Sequence, residues 1–154
     1  MSNTTAPDQV DVRGPRFAAW VTTFVLIFGL LVSGISTSAA AIVLGVQAVI
    51  FAIGAVGGPR RHPFGLVFAK LIAPRLAPVR EREPVAPLKF AQLVGLIFAA
   101  VAVAGFASGA VLVGVVATGG ALVAAFLNAA FGICLGCQLY PLVVRVKPAR
   151  GASS

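Results

Sequence analysis

The chain has 154 residues, of which 59% are hydrophobic and only 10% are charged. Soluble domains carry about 25% charged residues, so this composition excludes an ordinary soluble protein. The net charge of +8 does not indicate a nucleic-acid surface, because the basic residues flank apolar tracts instead of alternating with aromatic ones. The composition therefore predicts an integral membrane protein, with the lipid bilayer as a partner and no nucleic acid.

The N-terminal tail, residues 1–16, is polar and has no signal-peptide cleavage pattern. We expect it to form a short, mostly disordered arm. Two uncharged tracts follow, at residues 17–59 and 90–144. Because one helical crossing takes about 20 apolar residues, each tract holds two crossings if it contains a turn. The predicted fold class is all-α, a single membrane domain over 1–154 with four transmembrane helices.

Small polar residues at 33–38 predict the turn in the first tract. In the second tract, residues 107–109 and 118–120 are both suitable turns. We prefer 107–109, because the later turn would make the third helix long and would put the two cysteines near mid-membrane. The predicted transmembrane helices span approximately residues 17–34, 38–57, 89–107 and 110–133.

A basic segment, residues 58–88, joins the second and third helices. Its apolar residues recur at helical spacing behind Pro63, which predicts an amphipathic helix over 63–72. This helix either lies in the membrane interface or packs beneath the bundle. The later prolines are expected to keep the chain extended up to the third helix. The basic residues expected at the membrane surface are Arg60, Arg61, Lys70 and Arg75.

The orientation follows from where the positive charge lies. Basic residues occur in the 58–88 segment and in the C-terminal region 134–154, whereas the other two predicted turns carry no charge. By the positive-inside rule, the segment and both termini are expected in the cytoplasm. The sequence thus predicts a multi-pass protein of the plasma membrane.

Small residues at four-residue spacing predict seams where helices pack closely, within the chain or in a homo-oligomer. The longest stripe is Ala117, Ala121, Ala125 and Ala129. The amides of Gln47, Gln92 and Asn128 are expected to bond across helices. No Asp, Glu, His or Arg falls within the membrane tracts, which argues against a proton-coupled exporter. His62, the sole histidine, is expected at headgroup level.

Cys134 and Cys137 are the only cysteines and have CxxC spacing. On a helix this spacing puts both side chains on one face, within reach of a disulfide. A helix N-terminus favours the reactive thiolate, and a C-terminus opposes it. If the fourth helix ends near Gly132 and a new helix starts at Cys134, then Cys134 is the nucleophile and Cys137 the resolving thiol. If the helix continues to Pro141, both cysteines are packing residues.

Metal and haem chemistry are the remaining roles for this pair. A zinc site needs four ligands, so it would require a second copy or a partner. A c-type haem needs a histidine after the second cysteine, where this chain has Gln138. We therefore expect no cofactor. The candidate catalytic residues are Cys134 and Cys137, with Asn128 and Gln138 expected to hydrogen-bond to nearby groups.

Four stretches carry a resemblance to a known family: residues 12–19, 62–65, 89–92 and, most specifically, 126–140 with the sequence FLNAAFGICLGCQLY. The chain resembles an uncharacterised family of small bacterial membrane proteins, common in actinobacteria and catalogued as a domain of unknown function. The resemblance implies a four-helix membrane protein whose signature contains the CxxC. Because such genes lie near genes for thioredoxin-like proteins and sulfurtransferases, it also implies a soluble partner of that kind. Gln138 replaces the acidic residue of the family.

By architecture alone, the chain is also similar to quinone-linked membrane thiol oxidases, which are four-helix bundles with a CxxC at a membrane edge. It lacks their second cysteine pair. The functions that remain open are thiol redox or sulfur relay with a soluble cytoplasmic partner, a non-catalytic scaffold or accessory subunit, and passive permeation of a small solute. Whether the protein is an enzyme is therefore open as well.

Overall fold

A computed structural model of the chain describes residues 9–78 and 82–146. Its elements are β1 (Gln9–Asp11), α1 (Arg13–Ser33), α2 (Thr37–Gly57), α3 (Pro63–Val67), β2 (Arg82–Pro84), α4 (Val85–Ser108), α5 (Val111–Phe131) and α6 (Leu135–Val146). A π-helical turn at Phe68–Ile72 and a 3-10 turn at Ala73–Arg75 continue α3. The described chain is therefore helical apart from a two-stranded ribbon.

The helices α1, α2, α4 and α5 are 21 to 24 residues long and apolar enough to cross a membrane. At about 1.5 Å of rise per residue, such a helix matches the ~30 Å hydrocarbon core of a bilayer. Only 22% to 33% of the residues in their most apolar stretches are buried inside the protein. The other apolar side chains face outward, where lipid would surround them. The protein is an all-α, polytopic membrane protein.

In the bundle, α2 packs along α4, α1 along α5, and each of these pairs touches the other. Glycine permits close approach of two helix backbones: an added Cβ at Gly105 of α4 would lie 2.5 Å from the backbone nitrogen of Gly114 in α5. Close backbone packing supplies the dispersion energy that lipid, itself apolar, does not supply by the hydrophobic effect. The core consists of Leu26, Ala40, Leu44, Phe51, Ala99, Ala102, Phe106, Ala117 and Ala121.

The turns between the long helices fall at residues 34–36 and 109–110. At the first, the side chain of Ser36 accepts the Ala39 N–H at 3.1 Å and caps α2, as serine commonly does. In the second tract the chain turns after Ser108, and residues 118–120 continue within α5.

Two helices begin earlier than the sequence predicted. α1 starts at Arg13 instead of 17, and α4 starts at Val85 instead of 89. Hydropathy marks the edge of the apolar tract, whereas the helix extends through Pro15 and Pro87, which lie in first turns where no backbone N–H is needed. The predicted disordered tail is thus wrong from residue 9 onward. Residues 1–8 of that tail lie outside the described residues.

The ribbon pairs β1 with β2 in antiparallel register, with Gln9 opposite Pro84 and Asp11 opposite Arg82. It fastens the N-terminal strand to the start of α4. The prediction of extended chain before the third helix is wrong at Pro74, which lies in the 3-10 turn. It is also wrong at Pro87, which lies in α4.

The predicted amphipathic helix is present and lies against the bundle. Phe68 is buried, and its ring centroid lies 5.9 Å from that of Phe17 in α1. Leu66 and Leu71 are exposed. Phe68 therefore provides the packing beneath the bundle, while the exposed leucines leave an apolar outer face.

Candidate functional site

A sharp break separates α5 from α6. α5 ends at Phe131, and Gly132 adopts a left-handed conformation with φ of 71°. The Gly132 N–H donates to the carbonyl of Asn128 at 3.0 Å. A residue with a Cβ is strained in this conformation, so glycine ends the helix here. The structure thus has the broken arrangement, one of the two that the sequence left open.

Arg16 of α1 contacts this break from the other side. Its Nη2 donates to the carbonyl oxygens of Ala129 at 3.2 Å and Ala130 at 3.5 Å. Carbonyls in the last turn of a helix lack intrahelical partners, so a cation there both satisfies them and complements the helix dipole. The sequence predicts a disordered tail at Arg16 and does not predict this contact. No local signal links Arg16 to a carbonyl 113 residues away.

Cys134 and Cys137 form a disulfide, with Cα atoms 5.1 Å apart. Cys134 immediately precedes α6, and its Sγ accepts a hydrogen bond from the Cys137 N–H at 3.1 Å. Cys134 thus occupies the N-cap position of α6, where a side chain commonly accepts a hydrogen bond from a backbone N–H that has no partner within the helix. After reduction, the same amide would stabilise a thiolate at Cys134. Both cysteines are half-buried, so the pair stays accessible.

Gly136, between the cysteines, packs directly on α4. An added Cβ at this position would lie 2.7 Å from both Cα and Cβ of Ala91. Further along α6, the rings of Phe90 and Tyr140 are in contact, with centroids 6.0 Å apart. These contacts fix α6, and therefore the disulfide, against the N-terminal part of α4.

A cavity of about 270 Å³, which we call the inner cavity, opens beside Cys134. Its walls come from α1, α4, α5 and α6, and Phe51 of α2 and Phe98 lie toward mid-helix. Ala121 and Ala125 of the predicted alanine seam line it. Ala121 is also part of the packed core, and Ala125 packs against it, so the predicted seam is present and borders the cavity.

The predicted supporting residues differ in their placement. Asn128 lines the inner cavity together with Cys134. Gln138 has an exposed side chain, and its backbone N–H donates to the Cys134 carbonyl at 3.0 Å. The expected cross-helix bonding is wrong for Gln47, which is fully buried with neither amide atom paired within the described residues.

The basic residues predicted at the membrane surface, Arg60, Arg61, Lys70 and Arg75, are all exposed. Arg60 also donates to the carbonyl of Gln9 at 2.9 Å. It therefore holds β1 in place in addition to its predicted surface position.

His62 is buried, with 3% of its surface exposed, so its expected headgroup position is wrong. Its Nδ1 accepts the N–H of Phe64 at 3.2 Å and caps α3. Burial lowers the pKa of His62 to about 4, although a hydrogen bond with Gln92 opposes the change. The imidazole is therefore neutral at physiological pH. Its signal in the sequence was the following Pro63, since proline commonly occupies the first position of a helix.

A second cavity of about 340 Å³, the outer cavity, lies beneath the ribbon. His62, Arg60 and Arg82 line it, and Gln92 and Ala18 border both cavities. Asp11 on its wall forms an ion pair with Arg13 at 2.7 Å. That arginine lowers the pKa of the Asp11 carboxyl. The ribbon, both cavities and the CxxC thus lie at one end of the bundle, and the turns at 34–36 and 109–110 lie at the other.

Comparison with known proteins identifies a family. The sequence model of the family described as "Domain of unknown function (DUF4395)" matches residues 10–145. No curated protein and no solved structure matches the chain. The matched range runs from β1 into α6 and includes the inner cavity and both cysteines. The chain therefore belongs to the DUF4395 family.

Proposed function

We propose that Cys134 and Cys137 exchange electrons, or relay sulfane sulfur, with a soluble thioredoxin-like or sulfurtransferase partner in the cytoplasm. The supporting observation is the hydrogen bond from the Cys137 N–H to Sγ of Cys134 at the start of α6. This contact stabilises negative charge on the first sulfur and not on the second. Cys134 is therefore the sulfur that bonds to the partner, and Cys137 is the resolving thiol.

The exchange balances without a cofactor. A partner thiolate attacks Sγ of Cys134, the Cys134–Cys137 bond breaks, and Cys137 leaves as a thiolate. The second partner thiol then displaces Cys134, so that the partner is oxidised to a disulfide and the CxxC is reduced to a dithiol. The reverse sequence reduces the partner. The sulfur-relay form starts from the reduced pair: the Cys134 thiolate attacks the terminal sulfur of a partner persulfide, the S–S bond of the partner breaks, the partner cysteine leaves as a thiolate, and Cys134 carries the persulfide.

Charge supports the cytoplasmic placement. The exposed basic residues of the 58–78 segment lie at the same end of the bundle as the CxxC, and basic loops are retained in the cytoplasm. Structural disulfides are rare in that compartment. A cysteine pair there is expected to cycle between oxidised and reduced forms. The same basic surface would attract anionic headgroups or an acidic partner face.

The test is differential alkylation of both cysteines in intact cells, with and without a mild oxidant, read by mass shift. We expect reversible oxidation of the pair. Cys137→Ser should accumulate a mixed disulfide with the partner, and Cys134→Ser, the matched control, should trap nothing. Thiols that react only after denaturation would contradict the proposal. So would a Cys134→Ser protein that complements every loss-of-gene phenotype, and a scaffold or accessory subunit would then be the better interpretation.

A further inference from the structure

The inner cavity has no role in exchange with a soluble partner, yet Cys134 forms part of its wall. A soluble protein meets the cysteines at the end of the bundle, whereas the cavity extends away from that end. On α5 it runs from Asn128 to Gly120, a distance of about 12 Å at the rise of an α-helix. Cys134 is therefore partly exposed at the end of the bundle and also borders a space within the membrane-spanning helices.

The walls of the inner cavity specify the kind of molecule that fits. They are mainly alanine, glycine and leucine, with the aromatic residues Phe51 and Phe98 toward mid-helix. Two amides, Gln92 and Asn128, also line it. Each amide carries an N–H donor and a C=O acceptor that a molecule in the cavity can use.

Size narrows the choice further. The volume of about 270 Å³ lies just below the ~300–1,000 Å³ range of small-molecule pockets. It suits a head group of one or two rings and is too small for a whole lipid. The occupant is therefore small and mainly apolar, soluble in the bilayer, and equipped with polar atoms for the two amides.

We propose that the inner cavity binds the head group of a lipid-soluble quinone, which the reduced Cys134–Cys137 pair converts to the quinol. This inference rests on the proposed function, because the soluble partner supplies the electrons that reduce the disulfide. The quinone carbonyl oxygens accept hydrogen bonds from the amide N–H groups of Asn128 and Gln92. The phenylalanine rings contact the face of the quinone ring, as aromatic pairs commonly do.

The step balances in atoms and electrons. Two S–H bonds break and one S–S bond forms, so that the cysteine pair is oxidised by two electrons and releases two protons. The quinone takes up both electrons and both protons, and its two carbonyl groups become hydroxyl groups. No further oxidant is needed. One cycle therefore moves two electrons from a soluble dithiol to the quinone.

The test uses the full chain in nanodiscs, reduced, freed of reductant and kept anaerobic. The probes are decylubiquinone and a short-tailed menaquinone, because their fully substituted rings resist addition of thiols. We expect about one quinol per cysteine pair, read by absorbance, as the two-electron couple requires. Mass spectrometry should show that the disulfide has re-formed, and Cys137→Ser should give no quinol.

A matched pair of variants locates the reaction. Ala125→Phe fills the inner cavity and should slow quinol formation about a hundredfold, the loss typical of a misplaced reactant. Val123→Phe makes the same change at an exposed position of α5 and should leave the rate unchanged. If Ala125→Phe does not fold, Asn128→Leu provides the test. It should raise the quinone concentration at half-maximal rate about tenfold, the effect of roughly one lost hydrogen bond.

A reference reaction separates the two proposals. Oxidised protein is mixed with a soluble dithiol, and reduction of the disulfide is followed by mass. If this exchange occurs but neither quinone is reduced, the quinone proposal is wrong: the cavity then holds a lipid chain or no ligand. The proposed exchange with a soluble partner would still be supported. If the soluble exchange also fails, both proposals are wrong. Equal slowing by Ala125→Phe and Val123→Phe would overturn the placement of the quinone in the inner cavity.

Discussion

The imidazole of His62 occupies the space that a side chain at Gly54 would take. An added Cβ at Gly54 would lie 2.7 Å from Cδ2 of His62 and 2.8 Å from Oε1 of Gln92. Because Nδ1 of His62 accepts a hydrogen bond from a backbone N–H, the bond requires that nitrogen to carry no proton. Protonation of the ring would break the cap of α3 and would place a charge at a buried position.

We expect the protein to lose stability as the pH falls through the titration range of His62. The pKa is lowered from 6.5 to about 4 in the native state, so the unfolded state binds more protons between these values. Stability is therefore complete above the unfolded pKa and is lost as the pH falls toward 4. The shift corresponds to roughly 3–4 kcal/mol at ~1.4 kcal/mol per pKa unit.

Thermal unfolding in detergent, followed from about pH 7 to pH 4.5, measures this effect. His62→Asn is the control, because asparagine can also cap a helix but does not titrate. The variant should lack the part of the pH dependence that His62 contributes. Identical slopes for the two proteins would show that His62 is not the responsible group.

Gly136 is the second residue whose small size is needed. Gly136→Ala should destabilise the protein by about 1–3 kcal/mol, because its Cβ would overlap the backbone of α4 at Ala91. Gly119→Ala is the matched control: its Cβ would meet nothing within 4 Å, so the higher helix propensity of alanine should stabilise α5 by up to about 1 kcal/mol. Chemical denaturation of both variants checks the difference in sign. An equally stable Gly136→Ala protein would mean that α6 does not press on α4.

Among the helices, the break between α5 and α6 determines the chemistry of the cysteines. The left-handed Gly132 ends α5, and Arg16 satisfies two carbonyls of its last turn. If α5 instead continued through residue 132, the cysteines would lie inside a helix. The amide of Cys137 would then be bonded within that helix and would no longer stabilise Sγ of Cys134.

Gly132→Ala is therefore expected to impair the thiol site. An alanine in the left-handed conformation costs about 1–2 kcal/mol, which favours straightening of the break. The alkylation rate of reduced Cys134 at neutral pH should fall, because less of the thiol is ionised. Gly34→Ala is the control, since Gly34 follows α1 with an ordinary φ of −72°. If the alkylation rate changes in Gly34→Ala alone, or in neither variant, the reactivity of Cys134 does not depend on the break at Gly132.

The sequence predicted the long helices because their apolar tracts exceed the bilayer thickness and because charge is excluded from them. It did not predict β1 or β2, since strands of three residues are too short for an alternating pattern to show. The contact between Arg16 and α5 joins positions 113 residues apart, so no local pattern encodes it. The inner cavity also results from long-range packing. Its position could not be predicted from the sequence, because the spacing of alanines such as Ala121 and Ala125 is the same whether they face a helix or a cavity.

In the molecule as a whole, the two ends of the bundle differ. One end carries the ribbon, both cavities, the basic segment and the CxxC. The other carries the uncharged turns at residues 34–36 and 109–110. The first turns of α1 connect the basic segment to the CxxC region. Nη1 of Arg13 donates to the carbonyl of Ala77 at 3.1 Å, and Arg16, one helical turn later, contacts α5 beside the break. A probe at Ala77 therefore reports the side of the membrane on which the CxxC lies.

We expect the end with the CxxC to face the cytoplasm, because its basic residues resist translocation. Single cysteines at Ile35, which is 90% exposed, and at Ala77 test this in a Cys134→Ser, Cys137→Ser background. A membrane-impermeant maleimide should label Ile35→Cys in intact cells and Ala77→Cys only after the membrane is permeabilised. The reverse pattern would place the cysteines outside, where disulfides persist. A cytoplasmic thiol partner would then be excluded, although quinone reduction, which needs only the inner cavity and an external dithiol, would remain testable.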